Sequence, residues 1–303
     1  MPSKPHRSIV RAIRKVDPDA SFENNSTPLR TSSGKAYFAK MGTKREIEQY
    51  VGEAEALKAM EIAAPGIAPR LIECGIVDEE TADSAADVGR PFSVSEYKDM
   101  RSLTDVSAKQ LAKRLATEMH TYKSTKGFGF DVPTFCGATK QDNGWYESWE
   151  KCYDALVGGL LEKLQKQGGY EELCGKGEQV RRRAIPALLG PLAVQPVLLH
   201  GDLWSGNTGT DAETGEPVIF DPSAYYGHNE ADLAIARIFG GIPKSFFATY
   251  HQHLPKTEPV DQYDLRSDLY EMYHYLNHTV LFGGGYAGSA RAKMDKLLRA
   301  FSE

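Results

Sequence analysis

Apolar positions along the chain change period several times, and each change marks an element. Ile9, Val10, Ile13 and Val16 stand at helical spacing inside the basic stretch "KPHRSIVRAIRK", which predicts a short amphipathic helix packed on the domain. The polar, turn-rich "ASFENNSTPLR" leads into "SSGKAYFAK", whose alternation and aromatic content predict a strand. The hairpin it implies would turn around Asn24–Ser26 or at Ser33–Gly34. From Arg45 to Ala63 the period lengthens: Ile47, Tyr50, Val51, Ala54, Leu57 and Met60 recur at three- and four-residue steps, the stripe of an amphipathic helix. "APRLIECGIVD" and "PFSVSEYKD" read as two strands, joined by the acidic, small-residue "EETADSAADVG".

Beyond Tyr97 the texture becomes helical. "DVSAKQLAKRLATEMHTY" predicts a helix, "TKGFGFDVPTFCGATKQDNGW" a long irregular loop, and helices follow from Trp149 to about Lys166 and from Glu171 to Leu189. A loop, "LHGDLWSGN", a short hairpin closing on "DAETGE" and further helices complete the chain. The pattern predicts two lobes: residues 1–97, small and strand-rich with one main helix, and residues 98–303, larger and mostly helical. The cleft is expected at the joint near Tyr97 to Met100.

Composition narrows the classes without choosing one. The 303 residues suffice for one large domain or two lobes. A formal charge of −5 without a sustained basic block gives no reason to expect nucleic acid as a partner. No apolar run has the length of a membrane span, and no signal-peptide core follows Met1. Cys74, Cys136, Cys152 and Cys174 are widely spaced with no C-x-x-C, which fits a reducing compartment and buried bystander thiols. A cytoplasmic protein is the default expectation, and no pattern encodes an oligomeric state.

Candidate chemistry comes from an ordered set of polar residues. Phosphoryl transfer from ATP needs a cation on the phosphates, an acid that holds it, Mg²⁺ ligands and a base facing the acceptor hydroxyl. Lys40 ends the strand "AYFAK"; Glu53, at the edge of the apolar stripe of the next helix, is the candidate partner, with Glu55 as its rival. Asp202 and Asn207 stand five residues apart, as do base and metal ligand in kinase catalytic loops, and Asp221 follows the strand "VIF". Taken singly, each is an ordinary loop, surface or helix residue. His274 and His278, four apart on "LYEMYHYLNHTV", lack the Glu of a zinc motif and read as core or helix-face histidines. "FGGGYAG" reads as a helix stop and a loop.

Trp204 stands where a protein kinase usually has Lys, and no "APE" follows Asp221, which points to small-molecule kinases similar to aminoglycoside and choline phosphotransferases. More closely, "LLHGDLWSGN", "VIFDPSAYYGHNEADLAIARIFGG", "LYEMYHYLNHTVLFGGGY" and the earlier "GFGF" to "QDNGW" region resemble the fructosamine/ketosamine-3-kinase family from about Lys35 onward. The resemblance implies a two-lobed α+β, protein-kinase-like fold with a small antiparallel sheet. It also implies ATP- and Mg²⁺-dependent phosphorylation of the 3-hydroxyl of a ribulosamine or fructosamine. The carriers would be glycated protein lysines, N-termini or free glycated amines, and the product, being less stable, falls away. By motif, Asp202 is the expected base, Asn207 and Asp221 the Mg²⁺ ligands, and Lys40 with Glu53 the phosphate holders. Ser95, Glu96 and Tyr97 are expected to line the adenine site through backbone groups. His200, Trp204, Tyr226, His228 and Glu230 are candidates for sugar contacts, and Asp232 for fixing the catalytic loop. One departure is "SFENNSTPLRTSSG", poorer in glycine than the family's phosphate loop, so that Asn24, Asn25 and Ser26 would have to approach phosphate. Two alternatives stay open: a small-molecule kinase with another hydroxyl acceptor, and a non-catalytic kinase-like binding module.

Overall fold

In the computed structural model, residues 4–22 and 25–302 are described. The N-terminal alternation becomes an antiparallel sheet in the order β1-β2-β4-β3, formed by β1 (Leu29–Arg30), β2 (Ala36–Met41), β3 (Leu71–Ile76) and β4 (Pro91–Glu96). Of the two hairpin turns the sequence allows, Ser33–Gly34 joins β1 to β2; Gly34 has φ +82°, a conformation glycine adopts without a Cβ penalty. The other site, around Asn24–Ser26, falls partly outside the described residues. Helix α1 (Arg7–Arg14) turns Ile9, Ala12 and Ile13 onto Tyr37, Phe92 and Val94 of this sheet, so the basic segment is docked on the domain, although of the predicted stripe only Ile9 and Ile13 are buried: Val10 is half-buried, and Val16 lies beyond the helix and is exposed.

Helix α2 (Ile47–Ala63) connects this sheet to the rest of the molecule. Ala56, Leu57, Met60 and the following Ala64 belong to the large core, not to the small one under the sheet. At Gly52 a Cβ would stand 2.3 Å from the Pro133 carbonyl oxygen, so the missing side chain is what lets the helix dock so closely.

The large core is built by α3 (Asp105–Thr117), α4 (Trp149–Gln167), α5 (Glu171–Leu189), α6 (Asn229–Ile238), α7 (Lys244–His253), α8 (Tyr263–Phe282) and α9 (Ala287–Ala300). Gly283, φ +85°, stops α8 where the glycine run begins. Between β5 (Met100–Arg101) and the C-terminal helices, the expected long loop instead contains β6 (Phe128–Gly129), β7 (Thr134–Cys136), β8 (Thr139–Gln141) and β9 (Trp145–Tyr146). These strands are two or three residues long, too short to show a period, and β6 pairs with a segment about a hundred residues away.

The remaining strands frame the site: β10 (Val197–Leu199), β11 (Thr208–Asp211), β12 (Pro217–Ile219) and β13 (Tyr225–Gly227). They form the sheets β10-β13-β6-β9 and β12-β11-β5. The second joins the inter-lobe segment directly to the strand after the Leu199–Asn207 loop, with Thr210 opposite Arg101. Among the described residues, no helix is long and apolar enough to cross a membrane.

Candidate active site

Lys40 projects from the central sheet and Glu53 from α2, and they meet with Nζ–Oε2 at 2.5 Å, both side chains largely buried. Glu55, the rival, pairs with Lys58 at the surface. Burial pushes the Glu53 carboxyl up, and the Lys40 charge offsets this only in part. An ammonium so held, with Tyr50 beneath it at 5.3 Å, is a fixed positive charge facing the cleft.

The segment from Leu199 to Asn207 is held as a rigid loop. Buried Asp232 accepts the backbone N–H of His200 at 2.7 Å and of Gly201 at 2.8 Å, and the His120 ring at 3.1 Å. Burial alone would raise its pKa; the hydrogen bond and charge of His120 keep it below the ordinary carboxylate range. Gly201 has φ +80°, and a Cβ there would lie 2.1 Å from the Ser223 carbonyl oxygen, so only glycine fits. His200 Nε2–H donates to the Phe220 carbonyl at 3.0 Å while Nδ1 accepts the Asp202 N–H at 3.2 Å. Those partners fix one neutral tautomer, and the ring ties the loop to the strand that carries Asp221. Gly206 leaves room for the Trp204 indole, which a Cβ would approach to 2.2 Å.

Asp202 emerges from this loop beside Asn207, whose Nδ2 donates to its carbonyl at 3.0 Å and its carboxylate at 3.1 Å. Burial first, then the Asp221 charge, push the Asp202 carboxyl up to about 7; the Cys136 thiol, donating to it, pulls the other way. A carboxylate near neutral pKa suits a general base. Asp221, at φ +58°, stands two residues beyond the end of β12 and is exposed. Among the described residues, no hydrogen bond or ion pair holds its side chain.

Two cavities meet here. One, about 570 Å³, is lined by Lys40, Ser95, Glu96, Tyr97 and Met100; the other, about 270 Å³, by Asp202, Trp204, Asn207 and Asn277. Glu53 and Asp221 line both. Asp221 and the Asn207 amide oxygen, which its Nδ2 bonds leave unspent, form a sparse hard-oxygen set. Such a set fits Mg²⁺, whose other ligands are phosphate oxygens and water. Among the described residues no group of three or more His, Cys, Asp or Glu could hold a metal unaided, and His278 spends Nδ1 on the His274 carbonyl. In the larger cavity the Glu96 N–H already donates to Arg70 and the Tyr97 N–H to Ala36, so neither is free for a base.

Of the five residues considered for sugar contact, Trp204 lines the smaller cavity. His200 is the loop clamp just described. His228 is buried, bonded to Tyr270 and Thr257, each at 2.8 Å. Glu230 is buried in a two-pronged pair with Arg266 at 2.7 and 3.1 Å and accepts the Thr257 N–H. Tyr226 stacks with Tyr122, Phe130 and Trp145, away from the cavity lining. None of these four lines either cavity, and polarity in a sequence does not distinguish a side chain turned to the cleft from one turned to the core.

Sequence reasoning passed over Asn277 and Cys136. Asn277 lies beside the paired histidines of α8 and is buried; its Nδ2 donates to the Cys136 carbonyl at 3.3 Å and its Oδ1 has no partner.

The buried histidines carry a pH signature. Burial lowers the His228 pKa to about 4 and that of His274 to about 3. Unfolded, each titrates near 6.5, so between pH 6.5 and 4 the unfolded chain binds protons that the folded one refuses, and stability falls with falling pH. Each histidine contributes up to about 1.4 kcal/mol per pH unit in that window. The Asp202 carboxyl, raised to about 7, acts in the opposite direction over this window, so the clean test is the Asp202→Asn variant, whose urea midpoint is expected to drop steadily from pH 7 to 5; a flat profile there contradicts this assignment.

The fructosamine kinase family model matches residues 17–300. The chain is 35% identical over 284 residues to the ketosamine-3-kinase of Mus musculus, covering 86% of this chain and 87% of the relative. It is also 35% identical over 278 residues to the chloroplastic protein-ribulosamine 3-kinase of Arabidopsis thaliana, covering 91% and 80%. Its fold matches the crystal structure of a candidate fructosamine-3-kinase from Haemophilus somnus with a TM-score of 0.78, at 19% identity and 96% coverage of both chains. The two-lobed, kinase-like α+β architecture, the order of the polar set along it and these matches agree: the chain belongs to the fructosamine kinase family.

Proposed function

We propose that this protein is an ATP- and Mg²⁺-dependent ketosamine 3-kinase acting on ribulosamine or fructosamine adducts of protein amines or free amines. The observation that carries the reading is the meeting of two cavities at Glu53 and Asp221, with Lys40 on one side and Asp202 on the other. In this reading the larger cavity takes ATP, with adenine beside Ser95, Glu96 and Tyr97 and phosphates toward Lys40. Asn207 and Asp221 would hold Mg²⁺, which when bound neutralises phosphate charge. Asp202 accepts the proton of the sugar 3-hydroxyl as that oxygen attacks the γ-phosphorus, and the bond to the bridging oxygen breaks to release ADP. Trp204 packs on the sugar, and Asp232 and His200 hold the base in place. The lobes divide at residues 97 and 98, and the setting is cytoplasmic.

The test is ATP consumption with ribulosyl-lysine and fructosyl-lysine, with phosphorus NMR of the product. Phosphate on the 3-hydroxyl supports the proposal; no turnover of either adduct by a protein that binds Mg-ATP refutes the acceptor and leaves the nucleotide site. Within the same assay, Lys40→Met is expected to lower kcat/KM for ATP by about 10²–10³-fold, the scale of losing one preorganised donor at a developing charge. A change below threefold would remove Lys40 from the phosphates.

A further inference from the structure

The acceptor cavity has two chemically distinct ends. At the inner end stand Asp202 and Asn277, the latter fully buried with its Oδ1 unpartnered. In the proposed reaction Asp202 takes the proton of the sugar hydroxyl, so the sugar end of an adduct belongs here.

The outer end, starting from Trp204 where the sugar packs, is an aromatic wall. Trp204 meets Phe239 with ring centroids 5.9 Å apart, Phe239 meets His278 at 4.7 Å, and His278 meets Phe282 at 5.7 Å and Tyr286 at 5.1 Å. Phe282 is 68% exposed, and Trp204 and Phe239 are 36% exposed. A contiguous set of rings left in water marks an interaction site more often than chance. Burial lowers the His278 pKa, so this wall carries no charge near neutral pH. Trp204, His278 and Phe282 line the same cavity as Asp202, so an acceptor seated at the base has this wall alongside the rest of its length.

We propose that the wall is the subsite for the amine carrier of the adduct, and that it selects carriers placing an aromatic or aliphatic side chain beside the glycated amine. This rests on the ketosamine kinase reading and adds to it the class of peptide context. Flat rings offer dispersion and edge-to-face contact to such a side chain, and Phe282 becomes covered when it binds. A glycine neighbour reaches the sugar end equally well but leaves the wall in water.

The experiment compares two acceptors ribosylated on one lysine, acetyl-Phe-Lys-Phe-amide and acetyl-Gly-Lys-Gly-amide, with the whole chain and with Phe282→Ser. The quantity read is the ratio of kcat/KM for the two carriers, in which any loss of folded enzyme cancels. The wild-type ratio is expected to be about tenfold in favour of the Phe carrier, and Phe282→Ser to bring it toward unity. Equal kcat/KM on both carriers in the wild type, or a ratio unchanged by Phe282→Ser and by Phe239→Ser, overturns the subsite while leaving the kinase reading intact. Failure to phosphorylate either carrier overturns the kinase reading and this inference with it.

Discussion

Asp202→Asn is expected to lower turnover by about 10²–10⁴-fold, the contribution of a positioned base, with the fold intact. The substitution keeps side-chain size in a loop whose shape is set by Asp232, His200 and Gly201 rather than by Asp202 itself. What it removes is a carboxylate raised to about 7 by burial and Asp221, placed in the cavity proposed for the acceptor, where it could take a proton near neutrality. A coupled ATP assay gives kcat, and a thermal melt shows whether the protein remains folded. Near-normal turnover in a folded variant would remove Asp202 from the chemistry.

The second large effect is on stability. Arg266 is fully buried, pairs with Glu230 through two nitrogens, and donates to the Pro259 and Thr257 carbonyls at 2.9 and 2.6 Å. Arg266→Met leaves a carboxylate in the interior with only the Thr257 N–H, and is expected to cost about 3–5 kcal/mol. Adding Glu230→Leu removes the stranded charge and should restore part of the loss, since a buried pair replaced by apolar groups is often close to neutral. Urea denaturation of the wild type and the three variants completes the cycle. If the double variant is as unstable as the sum of the singles, the cost does not arise from an unpaired charge. If Glu230→Leu raises the acceptor KM and leaves stability unchanged, Glu230 faces substrate instead.

The sequence conveyed the site better than its surroundings. Lys40, Glu53, Asp202, Asn207 and Asp221, picked out by residue type and order, lie together around the two adjoining cavities. The helices Glu171–Leu189 and Ile47–Ala63 were legible because long amphipathic stripes repeat often enough to define a period. Strands such as Phe128–Gly129 were not, since their pairing is decided by a distant partner and two residues hold no period. His228 and Glu230 illustrate the other limit. Their polarity and proximity to the catalytic motif gave no indication that Tyr270 and Arg266, from a helix some forty residues on, would enclose them.

The seating of α2 bears on control of activity. A kinase that switches off by swinging the helix bearing its Glu needs that helix to be loosely attached. Here the helix carrying Glu53 is clamped at Gly52 against the Pro133 carbonyl and inserts Ala56, Leu57 and Met60 into the main core. Rotating it outward would expose those side chains at about 25 cal/mol for each Å² of apolar surface. The ion pair is thus assembled by folding rather than by a signal. An enzyme built this way stands permanently ready, and its flux follows the supply of nucleotide and acceptor.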